Sequence, residues 1–153
     1  MNRDSRLSSL IHVLLHMAEL PGPATSERLA LAMQTNPVVL RRLMSGLRVM
    51  GLVESAKGHG GGWLLCRPIE EITLADIYEA LGSPNFFAFG HRHADPACLV
   101  EQSVNAALGS VYLEAESLLM KRLEAVTLAG LYTDFRHRME AVKNCRQESE
   151  HEI

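Results

Sequence analysis

Asn36-Pro37-Val38-Val39-Leu40-Arg41-Arg42-Leu43-Met44-Ser45-Gly46-Leu47-Arg48-Val49-Met50-Gly51 is the stretch that decides the fold. Asn36 is a good N-cap, Pro37 suits the first helical position, and Gly51 stops the helix. Leu40, Leu43, Met44 and Leu47 recur at helical spacing and form a stripe to be buried. The opposite face carries Val38, Arg41, Arg42 and Ser45, with Arg48 at its edge. This is a helix with one apolar side and one arginine-bearing side.

Upstream, Ser5 to Leu20 places Leu7, Leu10, Ile11, Leu14, Leu15 and Ala18 on one helical stripe, which Pro21-Gly22-Pro23 ends. Thr25 or Ser26 caps a short second helix reaching about Met33, with Glu27 and Arg28 in its first turn. Downstream, Leu52 to Lys57 and Trp63 to Cys66 flank Gly58-His59-Gly60-Gly61-Gly62, which reads as a β-hairpin closed by Pro68. Thr73, with Asp76 three residues on, caps a fourth helix that Gly82 ends. Residues 83–97 form a loop with two prolines and a glycine. Beyond Ala97 there is no proline. Leu108, Val111, Tyr112, Ala115, Leu118 and Leu119 make a wide stripe on a long helix, and Thr127 starts a last one. Such a helix on a small chain finds its natural partner in a second subunit.

The order helix, helix, turn, helix, hairpin predicts a mainly α fold with a small β-hairpin: a winged helix-turn-helix head carrying a long dimerisation helix. The expected division is head 1–82, sensor loop 83–98, dimerisation helices 99–145 and polar tail 146–153. The physics of the head suits double-stranded DNA. Arg41 and Arg42 can address guanine in the major groove, and Val38 a thymine methyl, beside the small Ser45. Lys57 and His59 flank a turn whose Gly60, Gly61 and Gly62 lack side chains, so the backbone can approach a sugar-phosphate wall. The bland alternative is an arginine-bearing solvated face and a merely flexible turn.

Composition supports a folded chain. Of the 153 residues, 47% are hydrophobic and 22% charged, enough apolar material for a core. The net charge of −3 hides an asymmetry. Residues 1–68 hold eight Lys/Arg against four Asp/Glu, whereas 69–153 hold seven against fourteen. Only the first half is suited to a polyanion. Aromatic residues, at 5%, are too sparse for single-strand binding by base stacking. No apolar run approaches the ~20 residues of a membrane helix, and no secretory signal opens the chain, so a cytoplasmic protein is expected. No Ser/His/Asp set, phosphate loop, dinucleotide fingerprint or paired-carboxylate constellation stands out, so an enzyme is not expected.

The run Asn36 to Val53, followed by Gly58-His59-Gly60-Gly61-Gly62-Trp63-Leu64-Leu65 and then Ile72-Thr73-Leu74-Ala75-Asp76-Ile77-Tyr78, resembles the Rrf-two family of bacterial transcription regulators. The resemblance covers about residues 5–130. It implies a homodimer in which the long helix of each subunit crosses the other, with two heads on a palindromic operator, most often as a repressor. Trp63 departs from the Tyr or Phe usual in the family, as another large aromatic for the same packing role.

Cluster-binding members carry three cysteines in the loop before the long helix. Here that loop holds one, Cys98, while Cys66 ends the wing and Cys145 lies near the C-terminus. Thiolates are the usual ligands of such clusters, so no iron–sulphur cluster is expected. The run His91-Arg92-His93-Ala94-Asp95-Pro96-Ala97-Cys98 resembles the cluster-free, single-cysteine branch. Three readings of Cys98 stay open: a small buried side chain, a thiol sensor activated by a helix N-terminus and nearby positive charge, or a metal ligand with His91 and His93. His12 and His16, one helical turn apart, are a further candidate pair without a third ligand. Phe86, Phe87 and Phe89 are expected to plug the join between head and long helix, the alternative being that they line a small-molecule pocket there. Two other functions remain beside DNA-binding regulation by an unknown small-molecule or oxidant effector: a protein-interaction adaptor with a winged head, and a small metalloprotein built on the His91–Cys98 loop.

Overall fold

The computed structural model describes residues 5–86 and 97–150, with side chains through 142. Among these residues six helices and one hairpin follow in the order α1 (Arg6–Ala18), α2 (Ser26–Ala32), α3 (Pro37–Val49), β1 (Val53–Ala56), β2 (Gly62–Leu65), α4 (Leu74–Ala80), α5 (Leu99–Glu124) and α6 (Leu128–Glu150). The expected helix and hairpin order is the one observed.

Local chemistry sets these boundaries. Thr25 caps α2 by accepting the Arg28 N–H at 3.2 Å, and Asn36 Oδ1 accepts the Val38 N–H at 2.8 Å ahead of Pro37. At α4 the capping box closes in both directions: Asp76 donates its N–H to Thr73 Oγ1 at 3.1 Å, and Thr73 donates its N–H to Asp76 Oδ2 at 2.8 Å. Each such cap is worth about 1 kcal/mol. The hairpin pairs Val53 with Leu65 and Ala56 with Gly62, antiparallel.

The head has one core. Leu10, Val13, Leu14 and Met17 of α1 meet Leu29, Leu40, Met44, Leu47, Val53, Ile72 and Ile77. Leu128, fully buried at the start of α6, completes it. Its N–H donates to the Ile72 carbonyl at 2.7 Å, and the Leu74 N–H donates to the Val126 carbonyl at 3.0 Å, so the α5–α6 junction is tied to the entrance of α4. Arg136 of α6 faces Glu19 at the end of α1 at 3.6 Å.

α5 leaves this head as a 26-residue helix, about 39 Å long, and buries none of its residues fully. The stripe read from the sequence divides in two. Leu108, Val111 and Leu118 are exposed, whereas Tyr112 and Leu119 are partly covered. With Val104, the exposed members fall at 104, 108, 111 and 118, and half-buried Ala115 completes the alternating four–three spacing of a coiled-coil seam. Phe86, at the exit of α4, stacks on Tyr78 with ring centroids 4.2 Å apart. Phe87 and Phe89 lie outside the described residues.

The last helix runs into the polar tail. The backbone of α6 is helical through Glu150. Arg146-Gln147-Glu148 are good helix formers, and nothing in them stops a helix.

Candidate nucleic-acid interface

α3 turns Leu40, Met44 and Leu47 into the core, which leaves Val38, Arg41, Arg42, Ser45 and Arg48 exposed in one band. Val38 is 66% exposed, a valine with no folding reason to be there. Ser45 donates its hydroxyl to the Arg42 carbonyl of its own helix at 2.6 Å, so towards solvent it offers lone pairs. Arg41 does not stand free as the helical wheel implied. Its Nη2 donates to Glu27 Oε1 of α2 at 3.0 Å. The Glu27 carboxyl is held below the usual carboxylate range, first by its own backbone N–H and next by Arg41.

The wing stands beside this band. Lys57, His59 and Gly60 are exposed at its tip, and Gly58 and Gly60 take the left-handed backbone (φ +97° and +81°) that the turn requires. Gly61 and Gly62 have a second reason to be glycine. A Cβ on Gly61 would lie 2.3 Å from the Ala56 carbonyl oxygen, and one on Gly62 2.5 Å from that of Ala24. The close approach at Gly62 exists because Trp63 and Ala24 exchange both backbone hydrogen bonds, at 2.8 and 3.0 Å. Trp63 is buried, and its Nε1–H donates to Ser26 Oγ at 3.0 Å. The wing is thereby fixed to the segment that opens α2. A groove of about 360 Å³ remains between wing and α3, lined by Ser26, Arg41, Ser45, Arg48, Ser55 and Trp63.

Sequence reading missed Glu27, Ser26 and Ser55 as part of this surface. Glu27 is separated from Arg41 by fourteen residues, and Ser26 from Trp63 by thirty-seven, so no local spacing announces either pair. The available signal was the helix-turn-helix itself, which sets the first turn of α2 against α3.

Cys98 is the N-cap of α5 and is exposed, which removes the reading of a buried structural thiol within this subunit. The backbone N–H groups of Glu101 and then Val100 hold its thiol below the usual range. Cys66 is also unpaired, but partial desolvation and then Glu54 push its thiol up. His91 and His93 lie outside the described residues, as does the side chain of Cys145. Cys66 ends the wing and Cys98 opens α5, and no group of three metal-ligating side chains forms among the described residues. Among the described residues the thiols are Cys66 and Cys98, one short of the three thiolates that such a cluster needs. His12 and His16 face each other with Nε2 atoms 2.9 Å apart. Burial and then His12 lower the His16 pKa, against Glu19, which raises it, and no third ligand joins them among the described residues.

A family model described as Rrf2, iron-dependent transcriptional regulator, matches residues 3–134. The chain belongs to the Rrf2 family. It is a DNA-binding transcriptional regulator with a winged helix-turn-helix head. YwgB of Bacillus subtilis, named as an HTH-type transcriptional regulator, is 37% identical over 83 residues, and the match spans 53% of each chain. YwnA of the same organism, named likewise, is 28% identical over 125 residues, 82% of this chain and 92% of that one. CymR of B. subtilis, titled the global cysteine regulator, superposes with a TM-score of 0.63 at 22% identity, over 87% of this chain and 96% of its own. That last likeness is one of fold. The family and these relatives are regulators rather than enzymes, and no helix among the described residues is long and apolar enough to cross a membrane.

Proposed function

We propose that the protein is a cytoplasmic homodimeric repressor that reads a palindromic operator with α3 and grips the flanking backbone with its wing. The observation that carries this reading is the exposed band Val38, Arg41, Arg42, Ser45 and Arg48 beside Lys57 and His59, a cationic, side-chain-rich surface on a chain of net negative charge. Two heads related by a two-fold axis read two half-sites related by the same axis, hence the palindrome. Occupying a promoter in that way blocks transcription without any further chemistry.

The two kinds of contact are separable by titration against a duplex selected from a randomised pool. Arg42→Ala relaxes the preference at one operator position by about 1–3 kcal/mol, as for loss of a bidentate guanine contact. Lys57→Ala weakens selected and scrambled duplexes alike and reduces the salt slope by about one. If both variants bind every duplex as the parent does, the winged head is a protein-interaction adaptor.

The effector input is assigned to Cys98 as a thiol sensor. Its exposure and lowered pKa favour thiolate, the form that reacts with oxidants and electrophiles. Because the folded protein depresses the Cys98 pKa and raises that of Cys66, alkylation near neutral pH labels Cys98 first, and the preference narrows as pH rises above both. Peptide mass mapping after brief iodoacetamide treatment reads this. Loss of DNA binding after mild peroxide in the parent, but not in Cys98→Ser, supports the sensor; equal loss in both, or none in either, rejects it.

A further inference from the structure

We propose that Glu27 is a positioning residue for sequence readout: it orients Arg41 for a base edge and penalises contact of that arginine with phosphate. This rests on the DNA-binding reading of α3 and adds a residue from α2 to it. The contact is single, Arg41 Nη2 to Glu27 Oε1 at 3.0 Å. It occupies one N–H of the five that a guanidinium carries, so the remaining donors stay available for a bidentate approach to guanine while the ion pair is kept. An unrestrained arginine on this helix would have to be ordered by the DNA itself, and ordering a long side chain costs affinity. A guanidinium already held on one edge loses less.

The same carboxylate also lowers binding to the wrong sequences. Glu27 is exposed at the rim of the band, and it is the charged form that the surrounding hydrogen bonds favour. Every duplex offers phosphates, and only the right one offers a guanine edge at the right place. A fixed negative charge beside Arg41 opposes the first contact and leaves the second intact, which widens the ratio between specific and non-specific binding. Beyond Arg41 the groove between α3 and the wing offers Arg48 with the hydroxyls of Ser26 and Ser55, so phosphate retains its own partners without Arg41.

The test is a double-mutant cycle on the full chain. Binding sites are selected by the parent from a randomised duplex pool, and the selected and scrambled duplexes are titrated at several salt concentrations with the parent, Glu27→Gln, Glu27→Asp, Arg41→Ala and the Glu27→Gln/Arg41→Ala pair. Glu27→Gln is expected to bind the selected duplex about two- to fivefold more weakly, the scale of an exposed ion pair, and the scrambled duplex at least as tightly as the parent does. Its base preference flattens at the one position that Arg41→Ala also flattens. Glu27→Asp keeps the charge and restores the parent's affinity for scrambled duplex, while its shorter reach recovers only part of the base preference. In the Arg41→Ala background, Glu27→Gln has no further effect on base preference. Unchanged preference in Glu27→Gln overturns the proposal, and so does a loss that persists without Arg41, since Glu27 then acts on something else. A parent that selects no sequence and binds no duplex overturns the DNA-binding reading as well, an outcome distinct from either.

Discussion

Replacing Leu118 by glutamate is expected to leave a folded monomer at micromolar concentration, where the parent is expected to scatter light as a dimer. Leu118 is 61% exposed in the single subunit, and Val111, two helical turns before it on the same seam, is 59% exposed. With Val104 and Leu108 they make four exposed positions, and half-buried Ala115 completes the alternating four–three spacing: apolar surface that no described residue of the same chain fully covers. A second α5 laid across it buries the row on both subunits at once, as two-fold symmetry demands. A carboxylate at 118 then enters the interface twice, and a buried unpaired charge costs several kcal/mol. The head is spared, because Leu118 contributes nothing to its buried core. Leu119 is a poorer choice, since it is already partly covered within the subunit and a charge there disturbs the fold as well. Circular dichroism should show helix content retained. A single head on half an operator also loses the advantage of linkage, so affinity for a palindromic duplex falls by about 10²-fold or more. A Leu118→Glu protein that still scatters as a dimer places the interface elsewhere.

Much of this architecture is legible in the sequence because its signals are local. Thr25, Asn36-Pro37 and Thr73 with Asp76 act within three residues of themselves, and each caps the helix that follows. Gly51 and Gly82 end helices by taking φ of +67° and +82°. Helical periodicity chose the buried side of α3 without knowing what buries it, and the same periodicity left Val38, Arg41, Arg42 and Ser45 outside. The long helix was legible in a different way: a wide apolar stripe in a stretch without proline marks it, and the helix runs from Leu99 to Glu124.

What was not legible depends on chain segments far apart. Arg41 reads as free on a helical wheel, and its true partner sits on another helix. The glycine run reads as one flexible turn, yet only Gly58 and Gly60 answer to the turn, while Gly61 and Gly62 answer to the carbonyls of Ala56 and Ala24. Cys98 reads equally well as buried or exposed, because the preference of free cysteine for the interior is a statement about averages. Its neighbours decided the matter: Ala97, Leu99 and Val100 are exposed with it at the start of a helix that buries none of its residues fully. Composition marks the tail as polar but does not say whether the helix ends there, since polar residues of high helix propensity prolong a helix as readily as they end one.

Gly46→Ala is expected to destabilise the protein, against the ordinary rule for its position. In a helix interior, glycine to alanine usually stabilises by about 1 kcal/mol through backbone entropy. Gly46 lies inside α3, at the start of its last turn, so propensity alone gives a gain. Packing reverses the sign. A Cβ at this position would stand 2.1 Å from the carbonyl oxygen of Ala80 and 3.1 Å from its carbon, where α4 crosses α3. Both atoms are backbone, so no side-chain rotation relieves the contact, and one helix must shift away from the other. Overpacking of this kind costs about 1–3 kcal/mol, occasionally more, which exceeds the entropic gain. The matched control is Gly130→Ala in α6. There the new methyl meets only Thr127 Oγ1 at 3.6 Å, ordinary van der Waals contact, and the propensity gain is kept. Thermal unfolding of the two variants should therefore move in opposite directions. A shift of α3 also tilts Arg41 and Arg42 relative to Lys57 on the wing, so Gly46→Ala should lose more affinity for a selected duplex than for a scrambled one at a temperature where both proteins are folded. A Gly46→Ala protein as stable as Gly130→Ala means that α3 and α4 stand further apart than the structure places them.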